Sequence, residues 1–155
     1  MECGCPGSKM MDRRDEDSGD DQAVAVKSQL RQWPIQLHLI SPEAPYYAGA
    51  DVLLTADCVA YAMGGYHNDY LKGKSIAIAC PKLDAEQEIY ATKIQSWLED
   101  AEINTLTVLI MEVPCCGGLL HTAKQALAAS SRKVPLKAIV VGLDGDIRSE
   151  DWVTA

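Results

Sequence analysis

Phenylalanine is absent from the 155-residue chain, and aromatic residues make up only 6% of it. Tyr and Trp carry all the aromatic bulk, so Val, Ile, Leu and Ala have to fill most of any core. No apolar run approaches the roughly 18 to 20 residues of a membrane helix, so no membrane insertion is expected. Basic charge is also scarce: 14 Lys and Arg stand against 22 Asp and Glu, a net charge of −8. Nucleic acid and anionic membrane surfaces both reward clustered Lys and Arg, so neither is expected as a partner. Met1–Ser8 shows no basic stretch leading into an apolar one, and a cytoplasmic location is expected. No Walker motif or Ser-His-Asp order stands out. What is present is 48% hydrophobic and 23% charged residues, the composition of one globular domain of ordinary size.

Two regions differ in character. Residues 1–22 read as a flexible arm that contains Cys3 and Cys5 and an acidic run. Cys3-Gly4-Cys5-Pro6-Gly7 is turn chemistry, and Asp12 to Asp21 holds six acids and two arginines. Residues 23–155 read as an α/β domain. Val24 to Trp33 reads as a short helix stopped by Pro34. Five apolar runs follow as strands: Ile35 to Ile40, Asp51 to Ala56, Ser75 to Cys80, Thr105 to Val113 and Lys137 to Leu143. Ile76-Ala77-Ile78-Ala79 and Ala138-Ile139-Val140-Val141 do not alternate, which fits strands buried on both faces of a parallel sheet.

Helical patterns separate the later strands. Asp84 to Glu102 carries one apolar face through Tyr90, Ile94, Trp97, Leu98 and Ala101, with Asp84 and Gln87 spaced as a capping box. Gly118 to Ser130 is a second helix, and Cys58 to Lys72 a third, interrupted at Gly64-Gly65. The alternation predicts a three-layer, Rossmann-like architecture: a mainly parallel five-stranded sheet with helices on both faces.

The six cysteines fall at telling places. Cys58 follows the second run, Cys80 closes the third, and Cys115 and Cys116 follow the fourth. Ligands of open parallel sheets bind at the carboxyl edge, so these four are expected to converge there. Buried thiols used only for packing would lie in mid-strand or on helix faces. Clustered cysteines in a reducing compartment point to metal or redox chemistry rather than disulfides. Soft thiolates select zinc or iron–sulfur clusters. Structural zinc commonly uses paired C-x-x-C knuckles, which are missing, and adjacent Cys115-Cys116 is awkward for one tetrahedral ion. An extended cluster tolerates ligands from separated loops. A helix beginning at Gly117-Gly118 would aim its amides at the site; these would also favour a nucleophilic thiolate, which stays open as an alternative.

Other residues carry plainer readings beside a functional one. His67 is a ligand or proton donor, or a surface-loop histidine. His121 either turns toward the site or lies on a helix flank, and His38 reads as a structural residue within a strand. Asp57 either supports a metal or caps the following helix. Gly142-Leu143-Asp144-Gly145-Asp146 lacks the lysine and glycine spacing of a phosphate loop and reads as a turn.

Cys3-Gly4-Cys5-Pro6-Gly7-Ser8, Gln32-Trp33-Pro34-Ile35-Gln36-Leu37, Ala56-Asp57-Cys58, Cys80-Pro81-Lys82-Leu83-Asp84 and Glu112-Val113-Pro114-Cys115-Cys116-Gly117-Gly118 together resemble the C-terminal domain of a ferredoxin-like 4Fe-4S iron–sulfur protein family of anaerobic bacteria and archaea. The likeness spans almost the whole chain. The dense C-x-x-C-x-x-C-x-x-x-C-P motifs that precede this domain in typical members do not occur in this sequence, so their electron transfer is not carried over. A weaker likeness is to the CCG-type cysteine-rich domains of heterodisulfide reductases, where 34 residues between Cys80 and Cys115 are similar to the pattern. The later C-x-x-C of that pattern is missing.

The combined reading is an iron–sulfur cluster-binding redox or electron-transfer protein, acting with a redox partner protein or as an oxidoreductase component. Its cluster, of the 4Fe-4S type, is held by Cys58, Cys80, Cys115 and Cys116, with Cys3 and Cys5 folding over as a lid. The alternatives are a zinc-binding or structural module without turnover, and a thiol-based redox enzyme using Cys115 or Cys116.

Overall fold

The computed structural model describes residues 8–14, 16 and 25–153. Five strands form one sheet: β1 (Asp51–Ala56), β2 (Ser75–Ala79), β3 (Thr105–Met111), β4 (Leu136–Val141) and β5 (Ile147–Val153). The spatial order is β2-β1-β3-β4-β5. β1 pairs in parallel with β2 and β3, and β3 pairs in parallel with β4. Only β5 is antiparallel, against β4. Three helices connect them: the single-turn α1 (Val59–Ala62), α2 (Glu88–Glu99) and α3 (Gly117–Ala129).

The strand order fixes the layers. The chain moves outward from β1 to β2, then back across β1 to β3, and on to β4. Right-handed crossovers travelling in opposite directions lie on opposite faces. α2 and α3 therefore share one face and pack together, while the β1–β2 connection covers the other. Both faces being covered, β1 and β3 are buried along nearly their whole length. Trp97, Tyr90, Ile94 and Leu98 form the buried stripe of α2, as its apolar periodicity predicts.

Four expectations need correction. Ile35 to Ile40 is not a strand. It makes one isolated parallel bridge, Gln36 with Ile78, and then turns, so His38 stands in a turn. What flanks the outer edge of β2 is partly a side chain. Gln32 is buried, its Oε1 accepts the Ile76 N–H at 2.8 Å, and its Nε2 donates to the Ile76 carbonyl at 2.7 Å. The expected helix from Val24 to Trp33 does not form over residues 25–33, and Val24 lies outside the described residues. The fifth strand is the charged segment Ile147–Val153, whose side chains are mostly exposed. Its polarity marks it as an edge strand rather than a loop. Lastly, Asp84 does not cap α2, which starts at Glu88 with no side-chain cap.

The Cys58–Lys72 region breaks as its glycines predict. α1 ends at Ala62, and a π-helical turn spans His67–Leu71. Gly142–Asp146 is a turn between β4 and β5, closed by Gly142 N–H to Asp146 O at 2.8 Å. Gly145 holds φ +88°, and a Cβ there would lie 2.3 Å from the Ala62 carbonyl oxygen. Only glycine lets this turn rest on the end of α1. No helix among the described residues is long and apolar enough to cross a membrane.

Candidate functional site

Three loops leave the carboxyl ends of the three adjacent strands β2, β1 and β3, and each brings cysteine. β1 continues its ladder for one residue, Asp57 N–H donating to Ala79 O at 3.1 Å, and Cys58 then opens α1. Cys80 directly follows β2. Its N–H donates to Asp84 Oδ2 at 2.9 Å. Cys115 and Cys116 lie in the 3-10 turn Pro114–Cys116, which runs straight into α3 at Gly117. Neighbouring strands stand about 4.8 Å apart, so the two outer cysteine-bearing strands are separated by roughly 10 Å. The order β2-β1-β3-β4 reverses direction between β1 and β3, and the carboxyl edge at such a reversal is where open α/β sheets bind ligands. Cys58 and Cys115-Cys116 stand on the two sides of that point.

The loops touch. A Cβ on Gly118 would meet the Pro81 Cβ at 3.2 Å, so the start of α3 rests on the loop after Cys80. Pro81, Lys82, Pro114 and Cys115 line a shallow groove between them. The thiols also act on one another. Burial raises the Cys58 thiol above its ordinary range, and Cys80, Asp57 and Cys115 raise it further. Burial pushes Cys116 up to about 11; a backbone hydrogen bond at Met111 opposes this, while the Cys115 and Cys58 thiols add to it. Cys58 is exposed, Cys80 and Cys115 are half-buried, and Cys116 is buried. Among the described residues no three His, Cys, Asp or Glu side chains are already arranged to hold a metal ion.

Asp84 organises this edge, and sequence reading missed it. Its Oδ2 accepts the Cys80 N–H, the Gln36 amide at 3.2 Å and the Tyr90 hydroxyl. The signal was Asp84 four residues after Cys80, which the capping-box pattern obscured. Asp57 keeps its Oδ1 buried without a hydrogen-bond partner. Burial, and then the Asp84 charge, raise its carboxyl above the usual range.

His67 Nδ1 accepts the Gln29 N–H at 3.0 Å. His38 Nε2 bonds the Ala85 carbonyl at 2.6 Å, and its ring lies 4.5 Å from that of Tyr90. His121 is exposed on α3. Cys3 and Cys5 lie outside the described residues, as does most of the acidic run. Within the described part of that run, Arg13 Nη1 donates to the Leu143 carbonyl at 3.4 Å, just beyond β4 on the same edge of the sheet.

Residues 44–154 match the family described as "Rossmann-like domain". A protein of Archaeoglobus fulgidus, described as an uncharacterized protein, is 25% identical over 119 residues, covering 77% of this chain and 83% of that protein. No solved structure matches.

Proposed function

The chain belongs to the Rossmann-like domain family, and from that footing we propose that it is an iron–sulfur cluster-binding redox protein. Cys58, Cys80, Cys115 and Cys116 are the core ligands of a 4Fe-4S cluster at the carboxyl edge of the sheet. One observation carries the reading: four cysteines on three separate loops stand at the carboxyl ends of three adjacent strands, on both sides of the switch point. A soft donor set of this kind suits iron–sulfur clusters.

Electrostatics bear on one of the two candidate nucleophiles of a thiol enzyme. A catalytic cysteine needs a depressed pKa, whereas burial raises Cys116, which argues against Cys116 as that nucleophile. Thiols that resist ionisation alone give up their protons when a metal takes the sulfur. The amino end of α3 then follows Cys116 directly, and its dipole offsets thiolate charge. The apolar β1, β3 and α3 side chains below keep water from the inner side. A bound cluster supplies one-electron chemistry, delivered to or from a redox partner protein. Cys3 and Cys5 are additional ligands: they stand ten and eight residues before Arg13, which is already tied to this edge.

The test is iron and acid-labile sulfide analysis of protein purified without oxygen. Brown protein with about four irons and four sulfides per chain supports the proposal. Colourless protein with stoichiometric zinc, or metal-free protein with one fast-alkylating thiol, overturns it.

A further inference from the structure

On the face covered by the β1–β2 connection, the ends of β1 and β2 floor a second feature, a cavity of about 380 Å³. Ile35, Leu71, Ile76 and Ile78 give it apolar walls. Its size is at the lower end of cavities that hold small organic ligands, and few convergent polar groups on apolar walls is the usual build of such sites. Its polar lining residues include Asp57, Thr55, Tyr66 and His67. Asp57 lines the cavity and carries the buried, unpartnered Oδ1. Thr55 Oγ1 and the Tyr66 hydroxyl share one hydrogen bond at 2.9 Å. Two hydroxyls sharing one bond leave one O–H free to donate. His67 accepts the Gln29 N–H at Nδ1, so it adds no positive charge while that bond is made.

Among the described residues no Lys or Arg lines the cavity, and Asp57 is its one carboxylate. The whole chain is acidic. Phosphate-bearing ligands seek basic side chains and glycine-rich turns at helix amino ends, which this cavity lacks. We infer that it binds a small organic cation: a compact apolar body bearing one amine, whose N–H groups reach Asp57. A half-buried carboxylate among apolar walls gains more from an ammonium donor than from a neutral one. Asp57 also precedes Cys58 and raises its thiol, so the cavity is tested on metal-free protein, where its ligand is read apart from any cluster.

The experiment is an amide-resolved NMR titration of reduced, metal-free protein with benzylamine, matched against benzyl alcohol and benzoate. Benzylamine should shift the amides of Thr55, Ile76 and Ile78 saturably. Benzoate should bind at least about tenfold more weakly, the scale of one charged hydrogen bond gained or lost. Ala60→Trp places an indole from exposed α1 over the cavity and should abolish the shifts, with the circular dichroism spectrum unchanged. Asp57→Asn should remove the preference for benzylamine over benzyl alcohol. Absence of saturation with benzylamine overturns the inference. So do benzoate binding as tight as benzylamine, and shifts that persist in a folded Ala60→Trp protein.

Discussion

Gly118 lies against Pro81 so closely that a Cβ on the glycine would sit 3.2 Å from the proline Cβ. This contact joins the loop carrying Cys115 and Cys116 to the loop carrying Cys80. Gly118→Ala should therefore separate the two loops by a few tenths of an ångström. Alanine favours a helix by up to about 1 kcal/mol over glycine, which offsets the crowding, so urea unfolding should change by no more than about that amount. Iron content after anaerobic reconstitution should nonetheless fall. A variant with parental iron content would show that the contact does not set the spacing of the cysteine loops.

The raised Cys116 thiol makes the metal-free protein sensitive to alkali. Its pKa of about 11 lies above the ordinary value of 9.0, so the unfolded thiol ionises first as pH rises. Between those values the native state holds more protons than the unfolded state, and stability falls with pH. Below pH 9 the contribution is fully present; above 11 it is gone. The loss should amount to about 2 kcal/mol, allowing for partial solvent screening. Urea midpoints measured from pH 8 to 11 should fall in the parent and be flatter in Cys116→Ala. In the same state Cys116 should be the slowest of the four thiols to alkylate at pH 8.

Gln32 serves as a strand-like edge for β2 through a side chain. Both atoms of its amide bond Ile76, and Nε2 also reaches the Tyr47 hydroxyl at 3.1 Å. Gln32→Leu preserves bulk but leaves the Ile76 N–H and C=O without their amide partner. Unsatisfied buried groups cost about 1–3 kcal/mol each, although Tyr47 still donates to the Ile76 carbonyl. A destabilisation of about 2 kcal/mol is expected by urea unfolding, with faster hydrogen exchange at Ile76. Unchanged exchange there would mean that another group takes over the pairing.

Gln32 also shows where sequence reading succeeds and fails. The buried strands β1 to β4 announced themselves as continuous apolar runs, because a parallel sheet covered on both faces tolerates little else. Ile35 to Ile40 has the same composition, yet its backbone meets β2 at one bridge and turns away under Lys93, whose Nζ donates to the Leu37, His38 and Ile40 carbonyls. That competition is long-range and leaves no local signature. β5 was invisible for the opposite reason: an exposed edge strand needs no apolar face, and its charges serve partners elsewhere. Arg148 pairs with Glu112 and Asp144, and Lys137 with Glu150. The cysteine edge was legible because strand ends can be counted. The cavity beside Thr55 and Tyr66 was not, since it exists only where the β1–β2 connection stands off the sheet.

The last prediction separates the core thiols from those of the N-terminal segment. Single Ser substitutions at Cys58, Cys80 or Cys115 remove a soft donor from the proposed set of four, and each should lower iron content well below the parent. Cys116→Ser should do the same and, because Cys116 is 6% exposed, should also bury a hydroxyl at a cost of about 1–2 kcal/mol in the metal-free protein. Cys3→Ser combined with Cys5→Ser should leave that metal-free stability unchanged, since the sheet core is built from residues far along the chain. It should nevertheless alter the cluster. Arg13 ties the segment to the Leu143 carbonyl at the carboxyl edge. Eight extended residues span up to about 26 Å, which is the length of chain available to carry Cys5 along that edge. Cys58 is exposed, which leaves that side of the centre for further thiols to cover. Electron paramagnetic resonance of the reduced double variant should show shifted g-values, with faster loss of iron in air. A spectrum and an air-decay rate identical to the parent would assign all the ligation to the four core cysteines and leave Cys3 and Cys5 outside the centre.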